Sequence, residues 1–114
     1  MHFKELKSFE QRCTESDLMK TRFPERIPVI LQRRRELAPE IDKHKFMTPK
    51  SLTCAQFMFV ARKRMVVQSS QALFFFVGNG VLVTGTETLE NMAKRYGDED
   101  GFLYVIYDIE NTFG

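Results

Sequence analysis

The 114-residue sequence predicts an α+β domain in which a mixed sheet wraps one helix, a β-grasp arrangement preceded by two additional N-terminal helices. Three observations lead there. Apolar residues at helical spacing occupy Phe3 to Phe23 and recur after Thr53 and after Thr86. Apolar segments of strand length stand at 26–33, 43–48, 73–77 and 102–107. A helix separates the first two strands from the later ones, so a hairpin is followed by a crossover into the same sheet.

In the first segment Phe9/Cys13 and Met19/Phe23 are i,i+4 pairs, so one or two short helices are expected before Pro24. Between Arg26 and Arg33, Ile27, Val29 and Leu31 alternate with Pro28, Ile30 and Gln32, giving a strand with two partly apolar faces. Pro28 has no N–H to donate and must sit where that position faces no partner. Ala38-Pro39 breaks the pattern, and a second strand is expected from Lys43 to Thr48, ended by Pro49. Thr53-Cys54-Ala55-Gln56 reads as a capping box, and the helix it opens carries Phe57, Val60, Ala61 and Arg64 along one face.

Leu73 to Val77 is a continuous apolar strand, and Asn79-Gly80 before Val81-Leu82-Val83 predicts a tight hairpin turn with both central residues at positive φ. Thr86 is expected to begin the last helix, with Leu89, Met92, Ala93 and Tyr96 on its inner face and Gly97 as the C′ residue. Phe102 to Tyr107 is apolar throughout, as a central strand covered on both faces would be. The chain thus divides into a helical segment (1–25), a sheet-and-helix core (26–109) and an extended tail (110–114), all in one domain.

Composition narrows the class. With 43% hydrophobic and 28% charged residues, and eleven Phe, the chain can build a core without a disulfide framework. Cys13 and Cys54 lie 41 residues apart, with no zinc-type spacing. No apolar run reaches the ~20 residues of a membrane span, and the start lacks a signal-peptide core, so a reducing, intracellular setting is expected. A secreted scaffold, a transmembrane protein and a multidomain enzyme are excluded on these grounds. Charge is uneven: residues 1–64 hold 15 Lys/Arg against 8 Asp/Glu, and residues 65–114 hold 2 against 7. The basic half suits an acidic partner, nucleic acid or an anionic membrane surface, or simply a solvated face.

Enzymatic signatures are missing. Gly78-Asn79-Gly80 lacks the third glycine of a dinucleotide loop, and no Walker, HExxH or GxSxG sequence occurs. Cys13, Cys54, His2 and His44 show no nucleophile spacing and read as core thiols and surface imidazoles, so neither metal nor cofactor is expected. Two basic triplets remain, Arg33-Arg34-Arg35 and Arg62-Lys63-Arg64. The second sits at a helix C-terminus, where the macrodipole favours it. Neither is interleaved with stacking aromatics, so nucleic acid is not the expected partner. The tail Glu110 to Gly114 ends on a residue without a Cβ, whose carboxylate can enter a narrow active site, be adenylated and pass through a thiol to an amine.

Taken together, RFPERIPVI (22–30), PEIDKHKF (39–46), LTCAQFMFVARKR (52–64), ALFFFV (72–77) and DGFLYVIYDIENTFG (100–114) resemble the GABARAP-type ubiquitin-like modifiers of autophagy across nearly the whole chain. The resemblance implies a ubiquitin-like β-grasp fold behind two helices. It also implies conjugation of Gly114 to phosphatidylethanolamine by activating and conjugating enzymes, with a cysteine protease for processing and deconjugation. The protein would divide between cytoplasm and autophagosomal membrane, and would bind aromatic-x-x-aliphatic peptides in cargo receptors.

Carried over residue by residue, a first pocket for the aromatic side chain comprises Glu15, Met19, Pro28, Ile30, Lys45, Met47 and Phe102. A second, for the aliphatic one, comprises Phe46, Thr48, Pro49, Leu52, Phe57 and Val60, with Lys43 and Arg64 facing acidic flanks. Alternation along a strand supports this, because Lys45 and Met47 point one way and Phe46 and Thr48 the other. Two other functions fit the same residues: a basic β-grasp module for RNA or acidic proteins, without conjugation, and a modifier joined to proteins instead of lipid.

The sequence departs from that family at Ser8, where a Pro is common, in a proline-free loop at 78–85, and at Thr48 and Val60. The last two lead to the expectation of a roomier, more polar second pocket, in which an unpartnered Thr48 hydroxyl would weaken apolar ligands by about 1 kcal/mol, and one bonded to a neighbouring backbone group would cost nothing.

Overall fold

In the computed structural model, which describes residues 2–111, nine elements follow one another. They are α1 (Phe3–Leu6), α2 (Phe9–Arg22), β1 (Arg26–Arg33), β2 (Lys45–Pro49), α3 (Cys54–Arg62), β3 (Gln71–Val77), β4 (Val81–Leu82), α4 (Leu89–Tyr96) and β5 (Leu103–Asn111). The five strands form one sheet in the order β2-β1-β5-β3-β4, with β1 and β5 parallel and all other pairs antiparallel. The expected order is therefore observed, with the last strand at the centre.

The inner face carries Val29, Leu31, Phe46, Phe75, Leu103, Val105 and Tyr107 against Phe57 and Ala61 of α3 and Leu89 and Met92 of α4. Phe57 stacks edge-on against both Phe46 (5.3 Å) and Phe75 (5.8 Å). On the outer face, α1 and α2 cover β1 and the start of β5, which is why Pro28 and Ile30 are as buried as Val29 and Leu31. The capping box at Thr53/Gln56 forms as expected.

Pro28 fits the central strand because of register. The Leu31 N–H donates to the His44 carbonyl on the β2 side (2.8 Å), so alternation points the Pro28 nitrogen towards β5. The ladder to β5 starts only at Val29, opposite Leu103.

Several local expectations are corrected. Two helices form before Pro24, but the buried residues of α2 are Arg12 and Ser16, while Phe9 and Phe23 are exposed. α2 starts at a capping box that the sequence reading passed over: the Ser8 hydroxyl accepts from the Gln11 N–H, and the Gln11 side chain accepts from the Ser8 N–H. β2 starts at Lys45 and takes in Pro49, opposite Arg26. The hairpin loop is three residues, Gly78 and Gly80 taking positive φ (56° and 86°) while Asn79 does not. Thr88, not Thr86, caps α4. Gly97 is not left-handed; it is small because a Cβ there would meet the Ala93 carbonyl oxygen at 2.5 Å. β5 runs on to Asn111, paired with Gln71, so Glu110 and Asn111 belong to the sheet and not to a tail.

Candidate functional site

β2 is the long free edge of the sheet. Alternation from the Leu31–His44 bond turns the backbone groups of Phe46 and Thr48 towards β1 and those of Lys45, Met47 and Pro49 outward. Pro49 has no N–H, so Lys45 and Met47 supply the edge donors. The Met47 carbonyl accepts from the Arg26 guanidinium (3.0 Å), a contact that an added strand would displace.

Side chains alternate as the sequence predicts. Lys45 and Met47 stand on the outer face, opposite Ile30 and Pro28 in register. Phe102, one residue before the Leu103–Val29 pair, lies on the same face. From α2, Glu15 reaches Lys45 across this face, and Met19 follows one helical turn further on the same side of the helix. The floor is sealed in this structure, since Pro28, Ile30 and Phe102 are each under 2% exposed. Lys45 explains part of the seal: its ammonium pairs with Glu15 and lies 5.4 Å from the centre of the Phe3 ring. Phe3 in turn packs edge-on against Phe102 at 5.4 Å. Lys7 also holds Glu15 (2.9 Å). Burial raises the Glu15 carboxyl, but the bonds from Lys45 and Lys7 outweigh it and leave the group below the usual carboxylate range. Phe3, Lys7 and Arg26 were missed by sequence reasoning; the i,i+4 spacing of Phe3 and Lys7 is the signal that marks two of them.

α2 is held over this pocket by polar groups. Arg12 pairs with the fully buried Asp100 carboxylate (3.0 Å), the Tyr104 hydroxyl donates to the same carboxylate (2.5 Å), and the Ser16 hydroxyl donates to the Asp100 carbonyl. Gly101 next to it takes φ 96°, and a side chain there would run into Ser16, so the close approach of helix and loop needs glycine. Burial and the Asp100 bond keep the Tyr104 phenol protonated far above its ordinary range. Burial likewise pushes both Cys13 and Cys54 thiols up, in keeping with inert thiols.

The second-pocket residues gather between β2 and α3 with unequal exposure. Phe46, Thr48 and Phe57 form a buried floor, Leu52 is half-buried, and Pro49 and Val60 stand exposed at the rim. Val60 does not join the core face of α3, which is Cys54, Phe57 and Ala61. Of the two cases open for the Thr48 hydroxyl, the structure shows the bonded one: it donates to the Ile27 carbonyl at 3.3 Å. Lys43 lies over the Phe46 ring (5.1 Å) with no carboxylate partner among the described residues, whereas Arg64 is engaged by Asp42 (3.1 Å). Gly114 lies outside the described residues.

Residues 11–114 match the family model described as "Autophagy protein Atg8 ubiquitin like". This chain belongs to the Atg8 family. Its curated relatives include an autophagy-related protein 8 of Pichia angusta, 43% identical over 113 residues (98% of this chain, 90% of that one). Autophagy-related protein 8e of Arabidopsis thaliana is 42% identical over 113 residues (98% and 92%). The human microtubule-associated protein 1 light chain 3 gamma is 39% identical over 114 residues (98% and 78%). Among solved structures, Trypanosoma brucei ATG8 superposes with a TM-score of 0.89 at 34% identity, covering 100% of this chain and 98% of that one. Plasmodium falciparum Atg8, in complex with a P. falciparum Atg3 peptide, gives 0.84 at 27% identity, covering 95% of each. The fold is thus the ubiquitin-like β-grasp of Atg8 structures, and the chain is a ubiquitin-like autophagy protein.

Proposed function

We propose that this Atg8-family chain is a lipid-conjugated adaptor: Gly114 becomes joined to phosphatidylethanolamine, and the β2 edge docks aromatic-x-x-aliphatic segments of cargo receptors. The observation that carries the docking half is the free edge at Lys45 and Met47 with a buried apolar floor on either side of it, Pro28, Ile30 and Phe102 on one and Phe46 and Phe57 on the other. A ligand strand pairs its backbone with the edge and sends alternate side chains to the two pockets. An aromatic residue enters the first pocket once Lys45 leaves Glu15 and Phe3. The aliphatic residue meets Val60, Leu52 and Pro49 above the Phe46/Phe57 floor. Lys43 faces acidic residues flanking the motif.

The conjugation half follows the chemistry of a glycine carboxylate. Adenylation activates it, an enzyme thiol displaces the nucleotide, and the ethanolamine amine attacks the thioester to form an amide as the thiol leaves. Activating and conjugating enzymes and a deconjugating cysteine protease are the corresponding partners, and the Plasmodium Atg8 bound to an Atg3 peptide supports an interaction of that kind here. The conjugated form resides on autophagosomal membrane and the free form in the cytoplasm.

Mass spectrometry of the protein recovered from autophagy-induced cells tests this. Phosphatidylethanolamine on Gly114, absent in Gly114→Ala with an unchanged circular dichroism spectrum, is the expected result. A membrane-bound Ala variant, or a lysine in place of the lipid, overturns it.

A further inference from the structure

Three segments far apart in sequence meet where β5 ends. Asn111 pairs with Gln71 at the start of β3, and the Arg62 guanidinium at the end of α3 donates to the Gln68 and Gln71 carbonyls (3.4 Å each). The loop after β1 is fastened to the same end, Arg35 clasping the Asp108 carboxylate (2.9 and 3.1 Å) and the Ile109 carbonyl (3.2 Å). Asp42 of that loop closes the ring onto α3 through Arg64.

The surface so assembled mixes cations with exposed apolar side chains. Leu37, Phe59 and Val66 are 78%, 62% and 84% exposed. Beside them, Arg33 is spent on Glu40, Arg35 on Asp108 and Arg64 on Asp42. Arg62 and Lys63 have no carboxylate partner among the described residues, and Lys63 rests on Phe59 (4.3 Å); Arg34 turns away to Phe76 (5.1 Å), on the other face of the sheet next to the β3–β4 hairpin. Glu36 and Glu110 are the acids at this end that no cation holds among the described residues.

We infer that this end of the molecule is a membrane-docking face for anionic phospholipid, with Phe59, Leu37 and Val66 as apolar contacts and Arg62 and Lys63 as headgroup contacts. The inference rests on conjugation at Gly114. Two residues separate Asn111 from Gly114, so three Cα–Cα steps give a reach of at most about 10 Å, which is about one Debye length at physiological salt. A chain joined there to a headgroup must hold the surroundings of Asn111 at the bilayer, and an end bearing exposed apolar side chains among unspent cations suits an anionic interface.

The chain has no Trp, so a single introduced one reports its own surroundings. Phe59→Trp, in a Cys13→Ser, Gly114→Cys background, is coupled through the new thiol to maleimide-headgroup lipid in vesicles of phosphatidylcholine with or without phosphatidylserine. This bypasses the conjugating enzymes, so failure of enzymatic lipidation is read separately, by the mass spectrometry above. Emission is expected to shift to the blue and to be quenched by brominated acyl chains on phosphatidylserine vesicles. Asn79→Trp in the same background, in the hairpin at the far end of β3, should show neither. Lys63→Glu, with folding checked by circular dichroism, should lower the docked fraction roughly fivefold or more, whereas Arg34→Glu should leave it unchanged. Equal quenching at both Trp positions, or none at Phe59→Trp, overturns the inference. So does a Lys63→Glu variant that docks unchanged but binds acidic-flanked peptide more weakly, which assigns the cation to a peptide site.

Discussion

At Thr48 a single hydrogen bond reverses what the residue type suggests. The hydroxyl donates to the Ile27 carbonyl from a 4% exposed position, so it brings no unpaired polar group to the second pocket. Thr48→Val should leave the affinities of Leu and Val peptides unchanged in isothermal titration, and should lower stability by about 0.5–1 kcal/mol in urea denaturation. A gain in peptide affinity would show instead that the bond breaks on docking. The two rim lysines differ in the same way. Lys45 is already held by Glu15, whereas Lys43 has no carboxylate among the described residues. Lys43→Ala should slow association with an acidic-flanked peptide at low salt more than Lys45→Ala does, as measured by stopped flow. The reverse order would mean that Glu15 yields Lys45 to the ligand at little cost.

Among the three longer helices, α2 depends least on apolar burial. Its buried residues are Arg12 and Ser16, so its position rests on Asp100 and its start on the Ser8/Gln11 capping box. Ser8 stands where the resembled family commonly has proline, and it replaces a rigid start with two reciprocal bonds. Ser8→Ala should cost about 1 kcal/mol and speed amide exchange in the first turn of α2 before it does so in β1. Uniform exchange along α2 in that variant would place the anchor at Asp100 alone. The capping box was legible at Ser8 as surely as at Thr53, because both follow the same spacing. The polar docking face was not, because Asp100 lies 88 residues from Arg12 and no local period points to it.

For the whole molecule, acid sensitivity concentrates where the N-terminal helices meet the sheet. Burial raises the Glu15 and Asp98 carboxyls, but bonds from Lys45 and Lys7 to the first, and from Lys4 and the Asp100 N–H to the second, leave both below their ordinary values. A depressed folded value means that the stabilisation is present above the unfolded range, about pH 4, and is lost as pH falls through the folded values. Melting temperature should therefore hold steady from neutral pH to about 4.5 and then fall, with Glu15→Gln/Asp98→Asn giving a shallower fall. The effect is modest, since Lys4, Lys7 and Lys45 are each two-fifths or more exposed. An unchanged slope in the double variant would show that these two carboxylates do not set the acid transition.

Strand and helix identities, the opposite facing of Lys45 and Phe46, and the family resemblance were all readable along the chain. Each is a local signal: a period of two or 3.6, a cap, or a contiguous motif. Tertiary structure decided which of those side chains are free to act. Lys45 is restrained by a helix that starts 36 residues earlier, Thr48 is satisfied by a neighbouring strand, and Val60 faces out because Cys54, Phe57 and Ala61 fill the core face of α3. The surface around Asn111 exists only because β3, β5, the loop after β1 and the end of α3 converge there. Periodicity tells a side chain which face to take, but its partner comes from whichever distant segment packs against that face.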